Sequence, residues 1–386
     1  MTVPAAELLS WTRARTREMA ALLKELVEIE SPSTDAAGVA AVASRLAGEL
    51  EAAGLRTERA PVDAAAAGPI LRAASEASGS RPVMLLGHLD TVWPLGTLAE
   101  RPARIEGDRL LGPGSYDMKA GLVVATYALR ALAARGPLPA VTVFFTPLEE
   151  VDCESYRPAM EAAMKSSAAV LDFEPAWPGG AVKTRRKGSG SVTIRAHGKA
   201  AHAGADFNKG HNAILELAHR CLEAASLSDA GRGVTVNVGV IRGGIRSNVV
   251  PELAEAEVDF RVRTLEDGRR IEAALCGLRS TDPGVTLHVE GGLHYPPLER
   301  SAGVARVYEE ARAVAAEMGM DLPEVTSGGA SEAAFAGALG VPTLDGLGAD
   351  GDGAHAENEH VLIPSLPERA ALAAGLIARL AESDLA

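Results

Sequence analysis

The sequence predicts an α/β fold in which one domain, with a largely parallel sheet flanked by helices, is interrupted by an inserted domain of ferredoxin-like order (βαββαβ). Short apolar runs alternate with segments of helical periodicity in the first and last parts of the chain. Between residues 187 and 296 this pattern changes, and two strands follow one another directly. The 386 residues, 47% of them hydrophobic and 23% charged, suffice for two cores. We therefore expect one domain from residues 1–186 and 297–386, and a second from residues 187–296.

The outer domain is recognised by buried runs that end in turns. The run from Val83 to Leu86 stops at Gly87, and its length suits a buried strand. Strands that alternate with helices favour parallel pairing, because a crossover helix returns the chain to the same edge of the sheet. The other predicted elements of this domain are helices at 6–29, 37–53, 119–134, 304–318 and 366–381, strands at 140–146 and 168–173, and an apolar run at 341–344.

The inserted domain follows the order of a split ferredoxin-like unit, which can form a small domain of its own. We expect hinges near residues 186 and 297, where the pattern changes. The predicted elements are strands at 191–196, 235–241, 254–263 and 285–290, and helices at 212–225 and 268–278.

Composition and charge exclude several classes of function. The formal charge is −13, and no long run of lysine and arginine is present. Nucleic-acid binding depends on neutralising phosphates, so a nucleic-acid partner is not expected. A small molecule or a peptide is the expected substrate.

The cysteines and the first 30 residues bear on the compartment. Three cysteines, none in a C-x-x-C pair, indicate neither a disulfide framework nor a thiolate zinc site. The first 30 residues interleave charged and apolar positions and lack the continuous apolar run of a signal peptide or a membrane span. The expectation is a cytoplasmic protein with no membrane contact.

Histidine and acidic residues follow several of the predicted strands. His88 and Asp90 end the first buried run, and Asp117 stands just before a helix. Glu149 and Glu150 follow the strand at 140–146, and Glu174 follows the strand at 168–173. Open α/β sheets place their ligands at the carboxyl ends of the strands. These groups should therefore meet at one edge of the sheet.

Such a cluster points to a metal ion. Imidazole nitrogen and carboxylate oxygen are ligands that zinc accepts at roughly 2.0 to 2.2 Å. Five or six of these groups at one edge would repel one another without a cation. Each acid alone could be a helix cap or a surface residue, but that interpretation is poor for all of them together.

At this point the sequence resembles the M20 metallopeptidases and amidohydrolases, in particular the glutamate-carboxypeptidase-like branch. The resemblance covers nearly the whole chain, in the order of the family. The matching segments are GHLDTV (87–92), GPGSYDMKAGL (112–122), the acidic pair at 149 and 150, FEP (173–175), GKAAHAGADFNKGHNA (198–213), SNVVP (247–251), VDFRV (258–262), SGGASEA (327–333) and GAHAENE (353–359).

The resemblance implies two zinc ions, or other divalent metals such as cobalt or manganese, about 3.5 Å apart. His88, Asp117 and Glu174 would hold one ion, and Asp117 would bridge to the second. Glu150 and His355 would complete the second site.

Two further acids take other roles by the same resemblance. Asp90 would orient His88 from outside the ligand set. Glu149 would be the general base, free to accept a proton because Glu150 is the metal ligand. A cis peptide bond is expected between Asp117 and Met118.

The inserted domain would act as a lid that pairs two subunits into a homodimer. His202 resembles the histidine that steadies the tetrahedral oxyanion, commonly from the partner subunit. Asn248 and Arg261 resemble the pair that binds the terminal carboxylate of the substrate; an arginine can do so with two parallel hydrogen bonds.

The chain departs from the family pattern in several places. Leu148 precedes the acidic pair where an Asp is usual, and residues 151–156 (VDCESY) replace a Gly-Ser stretch. Glu332 stands where many relatives have Asp, and Ala120 replaces a common Gly. No clear arginine lies near residues 293 and 294, so a strict preference for glutamate is not indicated.

The predicted function is a zinc-dependent hydrolase that cleaves the amide bond next to a free carboxylate, as an exopeptidase of carboxypeptidase or dipeptidase type. One alternative is an N-acyl-amino-acid amidohydrolase, such as a desuccinylase or deacetylase. A second alternative is a non-catalytic protein that binds a peptide or an amino acid on the same fold.

Overall fold

A computed structural model describes residues 3–63, 67–77, 81–151 and 153–382 of the protein. The chain divides into two compact units. The first comprises Met1–Thr184, Arg300–Thr326 and Ser331–Ala386, and the second comprises Arg185–Glu299 and Ser327–Ala330. The sequence pattern assigned 327–330 to the outer domain, because a pattern along the chain does not reveal which unit a short loop joins.

The first unit is built on a six-stranded sheet. The strand Val83–His88 is buried along its whole length and pairs in parallel on both sides, which explains its continuous apolar run. Of the five neighbouring pairs, two are antiparallel and three are parallel. In pairing order the strands are Arg56–Ala60, Ile70–Ala74, Val141–Thr146, Val83–His88, Ala169–Asp172 and Thr343–Leu344. The expected α/β class with a parallel-rich sheet is confirmed.

Helices cover this sheet. The helix Ala120–Ala133 is buried over nearly all of its residues, and it packs against Ser365–Glu382. Asp35 begins the helix Ala36–Ala52, because its side chain accepts hydrogen bonds from the first free amides. The remaining helices of the unit are Ala5–Arg13, Thr16–Val27, Thr97–Glu100, Arg157–Ser166, Ala302–Glu317 and Ala333–Ala338.

The prediction of one helix over 6–29 is wrong, because the segment forms two helices that break after Arg13. At the break, Arg15 donates a hydrogen bond to the Trp11 carbonyl and stacks on the Trp11 ring, 3.8 Å from its centroid. Thr16 donates to the Arg13 carbonyl. Side chains thus satisfy carbonyls that a continuous helix would have paired.

A small antiparallel sheet in the first unit has strands Gly351–Asp352, His360–Leu362, Arg109–Leu111 and Arg104–Glu106, in pairing order. Its first two strands enclose the loop that carries His355. Two further strands span Val182–Arg186 and Glu324–Ser327.

The second unit contains a four-stranded antiparallel sheet and two helices, in the βαββαβ order expected. Alternate residues of Leu253–Val262 are buried, so one face of this sheet forms a core with the helices. In pairing order the strands are Thr235–Gly243, Leu253–Val262, Gly188–His197 and Thr286–Tyr295, the helices are Ala213–Ala225 and Leu265–Cys276, and a short ribbon joins Ala201–His202 to Val249–Val250.

Across the described residues of both units, no helix combines the length and the apolar character that crossing a bilayer requires.

Candidate metal centre and active site

The fold brings the predicted ligands of the first unit together at the carboxyl ends of three parallel strands. His88 is the last residue of its strand, the pair Glu149 and Glu150 follows Val141–Thr146, and Glu174 follows Ala169–Asp172. Asp117 lies in the short irregular turn Ser115–Lys119 that leads into a helix. Because parallel strands end at the same edge, residues distant in sequence become neighbours.

Among the described residues, two triads share Asp117, and each can offer three ligand atoms within 4.8 Å of one another; a third group of this kind joins His88 to Glu149 and Glu150. In the first, His88 Nε2 lies 3.3 Å from Asp117 Oδ1 and 3.5 Å from Glu174 Oε1. In the second, His355 Nε2 lies 3.3 Å from both Asp117 Oδ2 and Glu150 Oε2. Asp117 thus directs one oxygen to each histidine, the arrangement needed to bridge two cations.

The backbone at these ligands has two unusual features. The peptide bond between Asp117 and Met118 is cis, as the resemblance implied. His355 has a φ of 62°, which places it in the left-handed region. Its imidazole is 52% exposed, whereas that of His88 is 2% exposed. Solvent therefore reaches the second triad chiefly at His355, since the Glu150 side chain is only 7% exposed.

Asp90 connects His88 to the acidic pair. The His88 Nδ1 atom lies 3.0 Å from the Asp90 carbonyl oxygen and 3.4 Å from Asp90 Oδ1. The amides of Glu149 and Glu150 each donate to the Asp90 carboxylate at 3.2 Å, and the Ser33 hydroxyl donates at 2.6 Å. One buried carboxylate therefore holds the segment that carries both glutamates and lies against the imidazole.

Burial and mutual repulsion set the protonation of the acids. Burial raises the pKa of Glu149 well above its ordinary value, and the nearby carboxylates of Glu174 and Glu150 add to the rise. Burial also raises the pKa of Glu150. Asp117 is the exception: burial alone would raise its pKa, but hydrogen bonds with His355 and His88 hold it well below its usual range.

The same carboxylates act on the histidines. Hydrogen bonds to Asp117 and Glu150 raise the pKa of His355 to about 10. Burial alone would lower the pKa of His88, but its bonds to Asp117, Asp90 and Glu174 raise it. The carboxylates of the site thus favour positive charge on both histidines.

Glu359 also shapes the metal centre, although the sequence patterns assigned it no role. Its buried carboxylate accepts hydrogen bonds from the amides of Gly114, Tyr116 and Asp117 at 2.8 to 3.0 Å, and from Trp93 Nε1 at 2.7 Å. It thereby holds the turn that presents Asp117. Its place four residues after His355 in the GAHAENE segment was the available signal.

Lys183 was also missed. It is 6% exposed, and its Nζ lies 3.8 Å from Glu174 Oε2, the oxygen that does not face His88. No motif identifies a lone lysine in a strand as part of a site.

The residues present fit two divalent cations. Glu150 Oε1 is buried and has no hydrogen-bond partner among the described residues, although its other oxygen faces His355. An unpaired buried carboxylate oxygen is costly unless a cation binds it. Two imidazoles and three carboxylates are also a donor set that zinc accepts.

The predicted substrate-binding residues lie in the second unit. His202 and Asn248 are neighbours: the Asn248 carbonyl accepts from the amide of Ala203 at 3.0 Å. His202 is exposed, and its Nδ1 accepts from two following amides. Arg261 lies on the strand Leu253–Val262, where its guanidinium donates two hydrogen bonds to Asp259.

Comparison with known proteins finds one family. The model of peptidase family M20/M25/M40 matches residues 84–379. Carboxypeptidase G2 of a Pseudomonas species (strain RS-16) is 30% identical over 377 residues, covering 95% of this chain and 90% of that protein. A putative succinyl-diaminopimelate desuccinylase, DapE, of Mycobacterium tuberculosis is 27% identical over 363 residues, covering 89% and 94%.

A solved structure agrees with these matches in fold. The Bacillus subtilis YXEP protein, a dinuclear metal-binding peptidase from the M20 family, matches with a TM-score of 0.70 at 16% identity. The match covers 96% of this chain and 99% of that one.

Proposed function

Since this chain belongs to peptidase family M20/M25/M40 and is a metal-dependent hydrolase, we propose that it cleaves the amide bond next to a free carboxylate. The observation that carries the proposal is the pair of triads that share Asp117, with Glu149 beside them. The related protein of 30% identity is named as a carboxypeptidase, which supports an exopeptidase. A non-catalytic binding protein is set aside, because the chain belongs to a family of hydrolases.

Two zinc ions are the proposed cofactors, with cobalt or manganese as other candidates. His88, Asp117 and Glu174 would hold one ion, and Asp117, Glu150 and His355 the other. When bound, the ions would polarise the scissile carbonyl and lower the pKa of the attacking water.

Glu149 is the proposed general base. It would take a proton from the attacking water and deliver it to the leaving nitrogen. Its position supports this role, because a Glu149 carboxylate oxygen lies within 4.8 Å of ligand atoms of His88 and Glu150. Asp90 would keep His88 in one orientation and hold the amides beside Glu149 in place.

The second unit is proposed to serve as the lid and dimerisation domain, and the first as the catalytic domain. By the resemblance, Asn248 and Arg261 would bind the carboxylate of the substrate, and His202 would steady the oxyanion across a homodimer. Arg261 would then exchange its pairing with Asp259 for the substrate. Sedimentation of the purified protein reports the oligomeric state.

The cytoplasm is the proposed compartment. Cys153, Cys221 and Cys276 are all free thiols, which suits a reducing environment.

A deacylase acting on N-acyl amino acids is the second candidate function. The relative named as a putative desuccinylase favours it, at 27% identity over most of both chains. The two candidates share the centre and the requirement for a free carboxylate, and they differ in the group on the other side of the amide bond.

A matched substrate panel with metal-loaded protein tests the proposal. The panel contains N-blocked dipeptides, free dipeptides and N-acyl amino acids, each as the free acid and as the C-terminal amide. We expect hydrolysis of the acids, little of the amides, and loss of activity on chelation. Release of the last residue of N-blocked dipeptides indicates a carboxypeptidase, and cleavage confined to N-acyl amino acids indicates a deacylase. If no acid is hydrolysed, or if the amides react equally well, the proposal is wrong.

A further inference from the structure

Glu332 lies immediately before the helix Ala333–Ala338, and only 2% of its surface is exposed. Its two carboxylate oxygens accept hydrogen bonds from two different elements. The Thr146 hydroxyl donates to Oε2 at 2.9 Å, and the Tyr156 hydroxyl donates to Oε1 at 2.5 Å. Both donors are buried as well. One side chain therefore joins two points of the chain that are distant from it in sequence.

These two points are the ends of the segment that carries Glu149 and Glu150. Thr146 is the last residue of its strand, and Tyr156 immediately precedes the helix Arg157–Ser166. The described residues between them form neither helix nor strand, and Asp152 lies outside the described residues. The position of the two glutamates therefore depends on how the ends and the amides of the segment are held.

Two buried carboxylates divide this task. Asp90 binds the amides of Glu149 and Glu150, as described above. Glu332 binds the two ends through hydroxyl groups. A carboxylate suits this position because its two separate oxygens can each accept from a different donor, whereas a lysine ammonium only donates.

We propose that Glu332 is a positioning residue, which fixes through Thr146 and Tyr156 the segment that presents Glu149 to the attacking water and Glu150 to a metal ion. The inference rests on the roles proposed above for those two glutamates. A displacement of about 1 Å at a reacting group can cost a factor of 10² in rate, so small movements of this segment matter.

A further contact and the sequence itself support the pairing. The Arg157 guanidinium lies over the Phe335 ring, 4.4 Å from its centroid, so the helices that follow Tyr156 and Glu332 also touch. Tyr156 and Glu332 are both among the departures from the family pattern noted above. Their hydrogen bond indicates that the two departures belong together.

The test removes the two hydroxyl groups one at a time. Tyr156→Phe and Thr146→Val should each lower kcat by about 10- to 100-fold with KM little changed, since the segment loses one of its anchors. Tyr308→Phe is the matched control. Tyr308 is a buried tyrosine of the same unit whose hydroxyl donates to the Leu322 carbonyl at 2.9 Å, outside this segment. The Tyr308→Phe variant should lose about as much stability as Tyr156→Phe and keep the kcat of the wild type.

A second readout does not depend on turnover. Competition with a chelator measures the affinity for the two equivalents of Co²⁺. Tyr156→Phe should weaken one equivalent by about 10- to 100-fold, because Glu150 is a proposed ligand. Tyr308→Phe should weaken neither.

The Glu332 variants separate positioning from charge. Glu332→Gln can keep both contacts, since hydroxyls both donate and accept, and it should retain most of the kcat that Glu332→Ala loses. If the Gln variant is as slow as the Ala variant, positioning is not the role of Glu332. Full kcat and full Co²⁺ affinity in both hydroxyl variants would overturn the inference, even if Glu332→Ala fails to fold. A wild type that hydrolyses no substrate contradicts the proposed function instead, and Co²⁺ affinity then still tests Glu332.

Discussion

Two pairs of buried acids, one pair in each unit, have opposite surroundings. In the first unit, burial raises the pKa values of Glu332 and Glu359 to about 7, even though both accept hydrogen bonds. In the second unit, burial alone would also raise the pKa of Glu216, but hydrogen bonds from Thr281 and Asp282 lower it. Glu332 and Glu359 are therefore costly to ionise, whereas the donors around Glu216 favour its ionised form.

The compensation in the second unit comes from nearby donors. The Glu216 carboxylate accepts from the amide and the hydroxyl of Thr281 at 3.0 and 2.9 Å, and it lies 3.2 Å from Arg220 Nε. Asp267 is likewise buried, and Arg232 and Arg270 hold its pKa below the ordinary value against the effect of burial. These acids hold the fold together. The donors to Glu332 and Glu359 are instead hydroxyl groups, backbone amides and an indole N–H, none of which carries a charge.

The largest effect should come from the buried acids proposed to act in the chemistry. Glu149→Gln should keep both metal ions and lower kcat by at least about 10² to 10⁴, because an amide accepts no proton from water. Glu150→Gln should instead weaken metal binding. The matched control is Glu216→Gln, a buried glutamate of the other unit, which should leave kcat unchanged. Near-normal turnover of Glu149→Gln would show that the assigned mechanism is wrong.

The second prediction is that metal ions stabilise one unit and not the other. Zinc at 100 times its dissociation constant should raise the free energy of opening of the first unit by about 2.7 kcal/mol. Hydrogen exchange of the strand Val83–His88 measures the opening of the first unit, and exchange of Gly188–His197 measures the opening of the second. Equal gains in the free energy of opening of both strands would show that the two units open together. That result would contradict the prediction that metal ions stabilise only the first unit.

A feature can be predicted from the sequence when residues close to one another in the chain determine it. Burial along Val83–His88 and alternation along Leu253–Val262 are local patterns, so the strands and the two-unit organisation could be read from them. The edge strand Arg56–Ala60 was missed, because four of its five residues are exposed or half-buried and its pattern is that of a charged loop. Pairing with the next strand, which no local pattern shows, makes it a strand.

The same reasoning applies to the site. Ligands at strand ends could be expected, because the carboxyl ends of parallel strands share an edge. Glu332 and Glu359 act through contacts 186 and 242 residues away in sequence, with Thr146 and with the amide of Asp117. Both lie in segments that match the family, SGGASEA and GAHAENE, but neither segment shows which distant groups these carboxylates contact. Positioning residues of this kind become visible only when the fold is known.

The smallest effect, and the sharpest comparison, is the pH dependence of two matched substitutions in chelator-treated protein. Glu216 has a lowered pKa in the folded state, so its contribution to stability is present above the ordinary glutamate pKa of about 4.3 and is lost as the pH falls below it. Glu216→Gln should therefore cost about 1 to 3 kcal/mol at pH 7 and less near pH 3.5.

Glu332 should show the opposite sign. Its pKa of about 7 lies above the ordinary value, so its contribution is present below pH 4.3 and is lost as the pH rises through 7. Glu332→Gln should become less destabilising, relative to the wild type, between pH 5 and pH 8, by on the order of 1 kcal/mol. Hydrogen exchange of Val141–Thr146 for Glu332→Gln, and of Gly188–His197 for Glu216→Gln, measures each effect in its own unit. Parallel pH profiles for the two variants would contradict the contrast, because a carboxylate that burial keeps protonated and one that hydrogen bonds keep ionised must respond to pH in opposite directions.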